Sequence, residues 1–139
     1  MIIALTGPSG IGKGFIKEQL LRTYPFIEEL AWFTTRPLRP NESGGNRINV
    51  PDFQFNQLVE SGNLVLVQNL YGYRYGLRKH DLAPSPSVKL TELHIDNLIE
   101  ALRINTTILV IGLITSDLSL LRERLSINRN TESQAEIEN

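Results

Sequence analysis

No cysteine occurs anywhere in the chain, so disulfide frameworks and thiolate metal sites are excluded, and the redox state of its compartment is left open. A dominant charge sign is lacking too. Lys and Arg number 14 against 15 Asp and Glu, a formal net charge of −1, and the two signs are mixed along the chain. That balance leaves no basic stripe for nucleic acid and no acidic tail for a disordered interaction arm. No apolar run approaches membrane-spanning length. The apolar Ile2-Ile3 follows Met1 directly, which leaves no room for a signal peptide, so the expectation is a soluble, cytoplasmic protein. At 139 residues and 41% hydrophobic, the chain can bury one core, and a single domain over 1–139 is expected.

What is present starts with Gly7-Pro8-Ser9-Gly10-Ile11-Gly12-Lys13-Gly14. The stretch fits G-x-x-x-x-G-K, the phosphate-cradling P-loop. Both flanks agree with it. Ile2-Ile3-Ala4-Leu5-Thr6 is a short apolar run that reads as a buried parallel strand. On the other side Phe15, Ile16, Leu20 and Leu21 recur at helical spacing until Tyr24-Pro25 stops the helix. Strand, glycine loop and helix gather backbone N–H groups and a helix N-terminus around one point, which makes an anion site before any side chain contributes. Lys13 adds a mobile positive charge able to reach a terminal phosphate. The expected ligand is ATP, held by residues 7–14.

Further along, Leu30-Ala31-Trp32-Phe33-Thr34 reads as a second strand feeding the breaker-rich loop Thr35-Arg36-Pro37-Leu38-Arg39-Pro40-Asn41-Glu42-Ser43-Gly44-Gly45. Ile48-Asn49-Val50 is a short strand candidate. Asp52 can cap a helix in which Phe55, Leu58 and Val59 share a face and which Gly62 ends. A strand over 64–70, a turn at Gly72 and the aromatic segment Tyr73-Arg74-Tyr75-Gly76 follow, so that residues 34–76 read as a small appended lobe. Beyond the breaker Ala83-Pro84-Ser85-Pro86-Ser87 come a strand over 88–93, a short helix over 96–103 and a clear buried strand over 107–114. Ser116 or Asp117 caps a helix over 118–125, with Leu121 and Leu125 on one face. Strands alternating with helices imply an α/β fold with a mainly parallel sheet covered on both faces, its ligands at the carboxyl ends of the strands.

Phosphoryl transfer needs cations more than a protein nucleophile, because charge is spread over the phosphoryl oxygens. Arg36 and Arg39, three apart in a proline-stiffened loop, are the candidates to face the glycine loop, since a guanidinium fork grips phosphate bidentately.

Three blocks in this order, residues 7–14, Thr34-Thr35-Arg36-Pro37-Leu38-Arg39-Pro40-Asn41-Glu42 and Tyr71-Gly72-Tyr73-Arg74-Tyr75-Gly76, resemble the guanylate kinase family. That family carries the P-loop, T-T-R-x-x-R-x-G-E and G-x-Y-Y-G. Arg129-Asn130-Thr131-Glu132-Ser133 resembles the R-G-T-E stretch of its lid. The resemblance spans nearly the whole chain. It implies a P-loop three-layer sandwich with a nucleoside-monophosphate-binding lobe at 34–76 and a partial lid at 126–139. It also implies that Lys13 contacts the transferred group and that Arg36, Arg39 and Tyr75 hold the acceptor's phosphate. Glu42 would brace the arginine loop and Arg129 would close over the phosphates. With one gap in the alignment Glu92 would sit at an acidic strand end and organise Mg²⁺ or its waters, whereas an ungapped alignment puts Lys89 there, and His94 reads as structural.

The departures from the family are specific. Gly14 and Phe15 follow Lys13, so the Ser or Thr that usually touches Mg²⁺ is missing, and the metal is left to phosphates, water and a carboxylate such as Glu92. Guanine-reading positions align with Trp32, Leu66 and Leu77, and a further phosphate-contacting tyrosine with Ile48, so base recognition looks rewritten. Trp32, Tyr71, Tyr73 and Phe53 could stack on a base, though such aromatics more often pack a lobe. The expected activity is transfer of the γ-phosphoryl of ATP to a nucleoside monophosphate, GMP, dGMP or another. A ribose-bisphosphate kinase-like acceptor and a non-catalytic nucleotide-binding or interaction module are the alternatives.

Overall fold

In a computed structural model the backbone is described for residues 1–40 and 46–129 and the side chains through Ile127. The elements run β1 (Ile2–Thr6), α1 (Lys13–Thr23), β2 (Ile27–Glu29), β3 (Trp32–Thr34), β4 (Arg47–Asn49), α2 (Asp52–Glu60), β5 (Leu64–Leu70) and β6 (Tyr73–Arg78). They continue with α3 (Lys79–Leu82), β7 (Val88–Glu92), a 3₁₀ turn (Ile95–Asn97), α4 (Leu98–Ile104), β8 (Leu109–Gly112) and α5 (Leu118–Arg129). This is an α/β fold. Among the described residues no helix is long and apolar enough to cross a membrane.

One sheet is wholly parallel, in the order β2-β7-β1-β8. Its central strand β1 is the apolar run Ile2-Ile3-Ala4-Leu5-Thr6, buried along nearly its whole length because both neighbours pair with it. The carboxyl ends of β2, β7, β1 and β8 bring Glu29, Glu92, the glycine loop and Gly112 to one edge. The second sheet has the order β4-β3-β6-β5 and is antiparallel except where β3 meets β4. Its inner face shares a core with the first: Ile2 and Ala4 of β1 pack in one cluster with Trp32, Leu66, Leu77 and Leu82. Its other face holds a smaller cluster in which Phe55 of α2, fully buried, meets Val50 and Leu64. Arg74 lies 4.6 Å over the Phe55 ring and its Nη2 bonds Asp52 at 2.9 Å, which ties α2 to β6.

Two expectations need correction, and one element was not expected. The strand expected over 30–34 is confined to its last three residues: β2 of the first sheet ends at Glu29, Leu30 and Ala31 cross over, and β3 of the second sheet begins at Trp32. The apolar character of 30–34 marks a buried crossing, since Leu30 and Trp32 are both core residues, and apolar pattern alone does not distinguish that from one strand. The buried strand expected over 107–114 is shorter and lies at a sheet edge, where Leu109 and Ile111 stay largely exposed. The four-residue helix α3 has no sequence periodicity to announce it. Its place is fixed by Arg78, whose Nε bonds Asp81 Oδ2 at 2.8 Å, and by the fully buried Leu82. Asp117 does cap α5, accepting from the N–H groups of Ser119 and Leu120 at 3.0 and 3.1 Å.

Candidate functional site

The glycine loop leaves β1 at Gly7 and enters α1 at Gly12, which sits in the left-handed region at φ 106 as the cap of α1. A side chain at Gly7 could not be tolerated: at φ 152 a Cβ would lie 2.8 Å from the carbonyl oxygen of Leu113, just past β8. From the other side α5 closes on the loop, its Leu125 Cδ2 lying 3.1 Å from where a Cβ of Gly10 would stand. That contact accounts for the apolar face of Leu121 and Leu125. Lys13 bends back over the loop, donating to the carbonyls of Gly7 at 2.6 Å and Pro8 at 3.0 Å. These carbonyls hold the ammonium beside the space that opens at the start of the loop.

That space is a cavity of about 620 Å³ walled by Gly7, Pro8, Ser9 and Lys13 on one side and by Leu93, Ile95 and Ile114 on the other. A second cavity of about 340 Å³ is lined by Trp32, Arg36, Arg39 and Tyr75 together with Asn46 and Arg47. Both are within the usual size of a small-molecule site. Gln68, Leu70 and Glu92 line the two cavities alike, so the arginines and the glycine loop look into adjoining spaces.

Backbone contacts fix the arginine loop. Arg36 is almost fully buried, its N–H donates to Thr34 Oγ1 at 3.0 Å, and its carbonyl accepts from Asn49 Nδ2 at 2.7 Å. Thr35 exchanges bonds with Arg74: its N–H reaches the Arg74 carbonyl at 3.1 Å, and its Oγ1 accepts the Arg74 N–H at 3.0 Å. The loop therefore hangs from β6 and β4 at fixed points. Trp32 is pinned by Nε1 donating to Thr91 Oγ1 at 3.1 Å inside the core.

The structure thus brings together Lys13, Glu92, Arg36, Arg39 and Tyr75. Glu42 and the side chain of Arg129 lie outside the described residues, although the α5 backbone reaches Arg129. His94 caps the 3₁₀ turn, its Nδ1 accepting the N–H of Asp96 at 3.3 Å, which matches its structural reading. Of the positions aligned with guanine readers, Leu66 and Leu77 are fully buried in the shared core and line neither cavity. Leu66 takes φ 54 at a bulge between Val65 and Gln68. The bulge leaves Leu66 in the core while Gln68, two residues on, lines both cavities. Among the polar residues lining the arginine cavity are Gln68, whose Oε1 accepts from Asn97 Nδ2 at 3.0 Å, and Asn46, neither of them marked by a sequence motif.

Lys17 was missed as well. One helical turn beyond Lys13 on α1, its Nζ lies 2.7 Å from Glu29 Oε1 and 3.0 Å from Glu92 Oε1, and it lines the arginine cavity. Burial works against its charge, but hydrogen bonds and attraction from Glu29 and Glu92 outweigh this and hold its pKa above the ordinary 10.5. The i, i+4 spacing from Lys13 was the available signal. Glu92 is accordingly not an open carboxylate. With no oxygen on the side chains of Gly14 or Phe15, Glu92 engaged by Lys17, and no group of three His, Cys, Asp or Glu among the described residues, the side chains present do not fit a protein-anchored Mg²⁺.

Comparison with known proteins agrees with these features. No protein-family model matches the chain. A guanylate kinase of Lactobacillus delbrueckii subsp. bulgaricus is 30% identical over 140 residues, covering 96% of this chain and 68% of that protein. One from Nostoc sp. is 36% identical over 97 residues, covering 68% of this chain and 49% of its own length. The crystal structure of guanylate kinase from Anaplasma phagocytophilum superposes with a TM-score of 0.72 at 21% identity, over 89% of this chain and 65% of that one, a likeness of fold. The chain thus spans between about half and two thirds of the length of these proteins. With the glycine loop, the arginine block and a match over nearly its whole length, the chain belongs to the guanylate kinase family.

Proposed function

We propose that this chain transfers the γ-phosphoryl of ATP to the phosphate of a nucleoside monophosphate, with GMP and dGMP the first acceptors to test. The observation that carries this reading is the adjacency of two anion-attracting cavities sharing Glu92, one walled by the glycine loop and Lys13, the other by Arg36 and Arg39. ATP takes the loop cavity, its phosphates on the amides of residues 7–14 and its base toward the apolar wall of Leu93, Ile95 and Ile114. The acceptor's phosphate lies between Arg36, Arg39 and the Tyr75 hydroxyl, and its base lies among Trp32, Tyr71 and Gln68. Residues 34–76 act as the acceptor-binding lobe of a P-loop sandwich.

An anionic oxygen of the acceptor phosphate attacks the γ-phosphorus, a new P–O bond forms, and the bond to the β-phosphate oxygen breaks to release ADP. The attacking oxygen carries no proton that must be removed, so no general base is required. Catalysis is then alignment plus cationic stabilisation, from Lys13 on the donor side and the arginines on the acceptor side. Magnesium, usual in phosphoryl transfer, supplies charge neutralisation when bound to nucleotide phosphates. The side chains of the described residues offer it no anchoring set, and no step here depends on one.

The test is a coupled ATP-consumption assay across nucleoside monophosphates and sugar phosphates. Turnover with a purine monophosphate supports the reading. Turnover only with a sugar phosphate moves the chain to the ribose-bisphosphate alternative, and tight ATP binding with no turnover makes it a binding module.

A further inference from the structure

Lys17 belongs to no motif of the sequence, yet it stands where the two cavities meet. Lys13 and Lys17 lie one turn apart on α1, the first lining the loop cavity and the second the arginine cavity, while Glu92 lines both. An ammonium has three N–H donors. The Lys17 ammonium is ion-paired, its Nζ 2.7 Å from Glu29 Oε1 and 3.0 Å from Glu92 Oε1. Only 18% of the side chain is exposed, within the wall that also carries Arg36 and Arg39. Glu92 alone would repel a phosphate entering this space. An ammonium paired with it offsets that repulsion and can donate to the phosphate.

We propose that Lys17 is a further catalytic residue, whose ammonium donates to the acceptor's phosphate beside the path of the transferred group. The assignment rests on the transferase reading above. It gives the site a pair of lysines on one helix face, Lys13 on the donor phosphate and Lys17 on the acceptor phosphate, with Glu92 orienting the second. The pair places fixed positive charge where the side chains provide no metal anchor.

The test compares the wild-type chain with Lys17→Gln, which loses the charge while keeping a donor toward the carboxylates. Lys17→Arg, which keeps the charge, serves as the rescue. Calorimetry reads the affinities for GMP, inorganic phosphate and ATP, and the coupled assay reads kcat and KM. Lys17→Gln is expected to weaken GMP and inorganic phosphate by about 10- to 100-fold, the size of a lost charged hydrogen bond. ATP affinity should stay within about threefold. Lys17→Arg should recover most of the loss. A Lys17→Gln variant that binds and phosphorylates GMP like the wild type overturns the assignment and leaves the transferase reading standing. Equal losses for ATP and GMP overturn it too, since they mark a structural lysine. If no acceptor is phosphorylated but inorganic phosphate still binds the wild type better than Lys17→Gln, the transferase reading fails and the anion site remains.

Discussion

The glycine loop and the arginine cavity lie side by side but are built in opposite ways. The loop is eight consecutive residues, and its sequence requirement is the absence of side chains at Gly7, Gly10 and Gly12, all at positive φ. The arginine cavity is assembled from side chains of α1, β3, the loop after it, β5, β6 and β7, and no stretch of sequence contains it. A backbone site tolerates little change in sequence and takes any ligand with phosphates. A side-chain site can be rewritten residue by residue, and here the positions aligned with guanine contacts have gone into the core as Leu66 and Leu77.

The difference is sharpened by removing one cation from each side. Lys13→Ala should lower turnover by about 10²- to 10³-fold or more, the scale of a lost transition-state donor, while circular dichroism and the melting temperature stay near wild type. Turnover within a factor of about two would remove the donor-side assignment. Arg39→Ala should raise KM for the monophosphate by about 10- to 100-fold and leave KM for ATP unchanged. An equal rise for both substrates would mean that the two cavities do not bind separately. Arg36 is less suited to this test because it is buried, and its removal would also unsettle the loop.

Gly7→Ala addresses the backbone-built region directly. The Cβ would meet the Leu113 carbonyl at 2.8 Å from a φ of 152, so urea denaturation should show a loss of about 1–3 kcal/mol. An unchanged midpoint would mean that β8 does not press on the loop. A smaller effect belongs to Lys17, whose pKa is raised in the folded state, against its own desolvation, by Glu29 and Glu92. For a base with a raised folded pKa, the contribution is complete below the ordinary 10.5 and is lost as pH rises through the folded value. Wild type should therefore lose stability against Lys17→Gln above that pH, and parallel curves would dissolve the ion pair. Smallest is Asp117, whose carboxyl is held below its ordinary 3.8 mainly by the Ser119 hydroxyl and the Leu120 N–H at the start of α5. Its contribution is present above 3.8 and fades as pH falls through the folded value. Asp117→Ala should lower the melting temperature slightly at neutral pH and not in strong acid.

What could be read from sequence follows from the same contrast. The strand, loop and helix around Gly7 were legible because periodicity, glycine spacing and a positive residue all act within one short segment. Arg36 and Arg39 were legible as a motif, since prolines and breakers mark their loop. Lys17, Asn46 and Gln68 were not, because only the pairing of β2 with β7, the crossing at Leu30 and Ala31, and the bulge at Leu66 bring them to the cavities. The edge position of β8 was equally hidden: Leu109-Val110-Ile111 has the composition of a central strand, and neighbours are a property of topology.

Phosphorus-31 NMR of the wild-type chain incubated with ATP and GMP tests the central claim most directly. If phosphoryl passes between the cavities, ADP and GDP resonances should grow together in equal amounts, with no inorganic phosphate appearing. ATP and GMP signals that broaden on binding yet never yield GDP, or ATP that decays to ADP and free phosphate with GMP untouched, would contradict it.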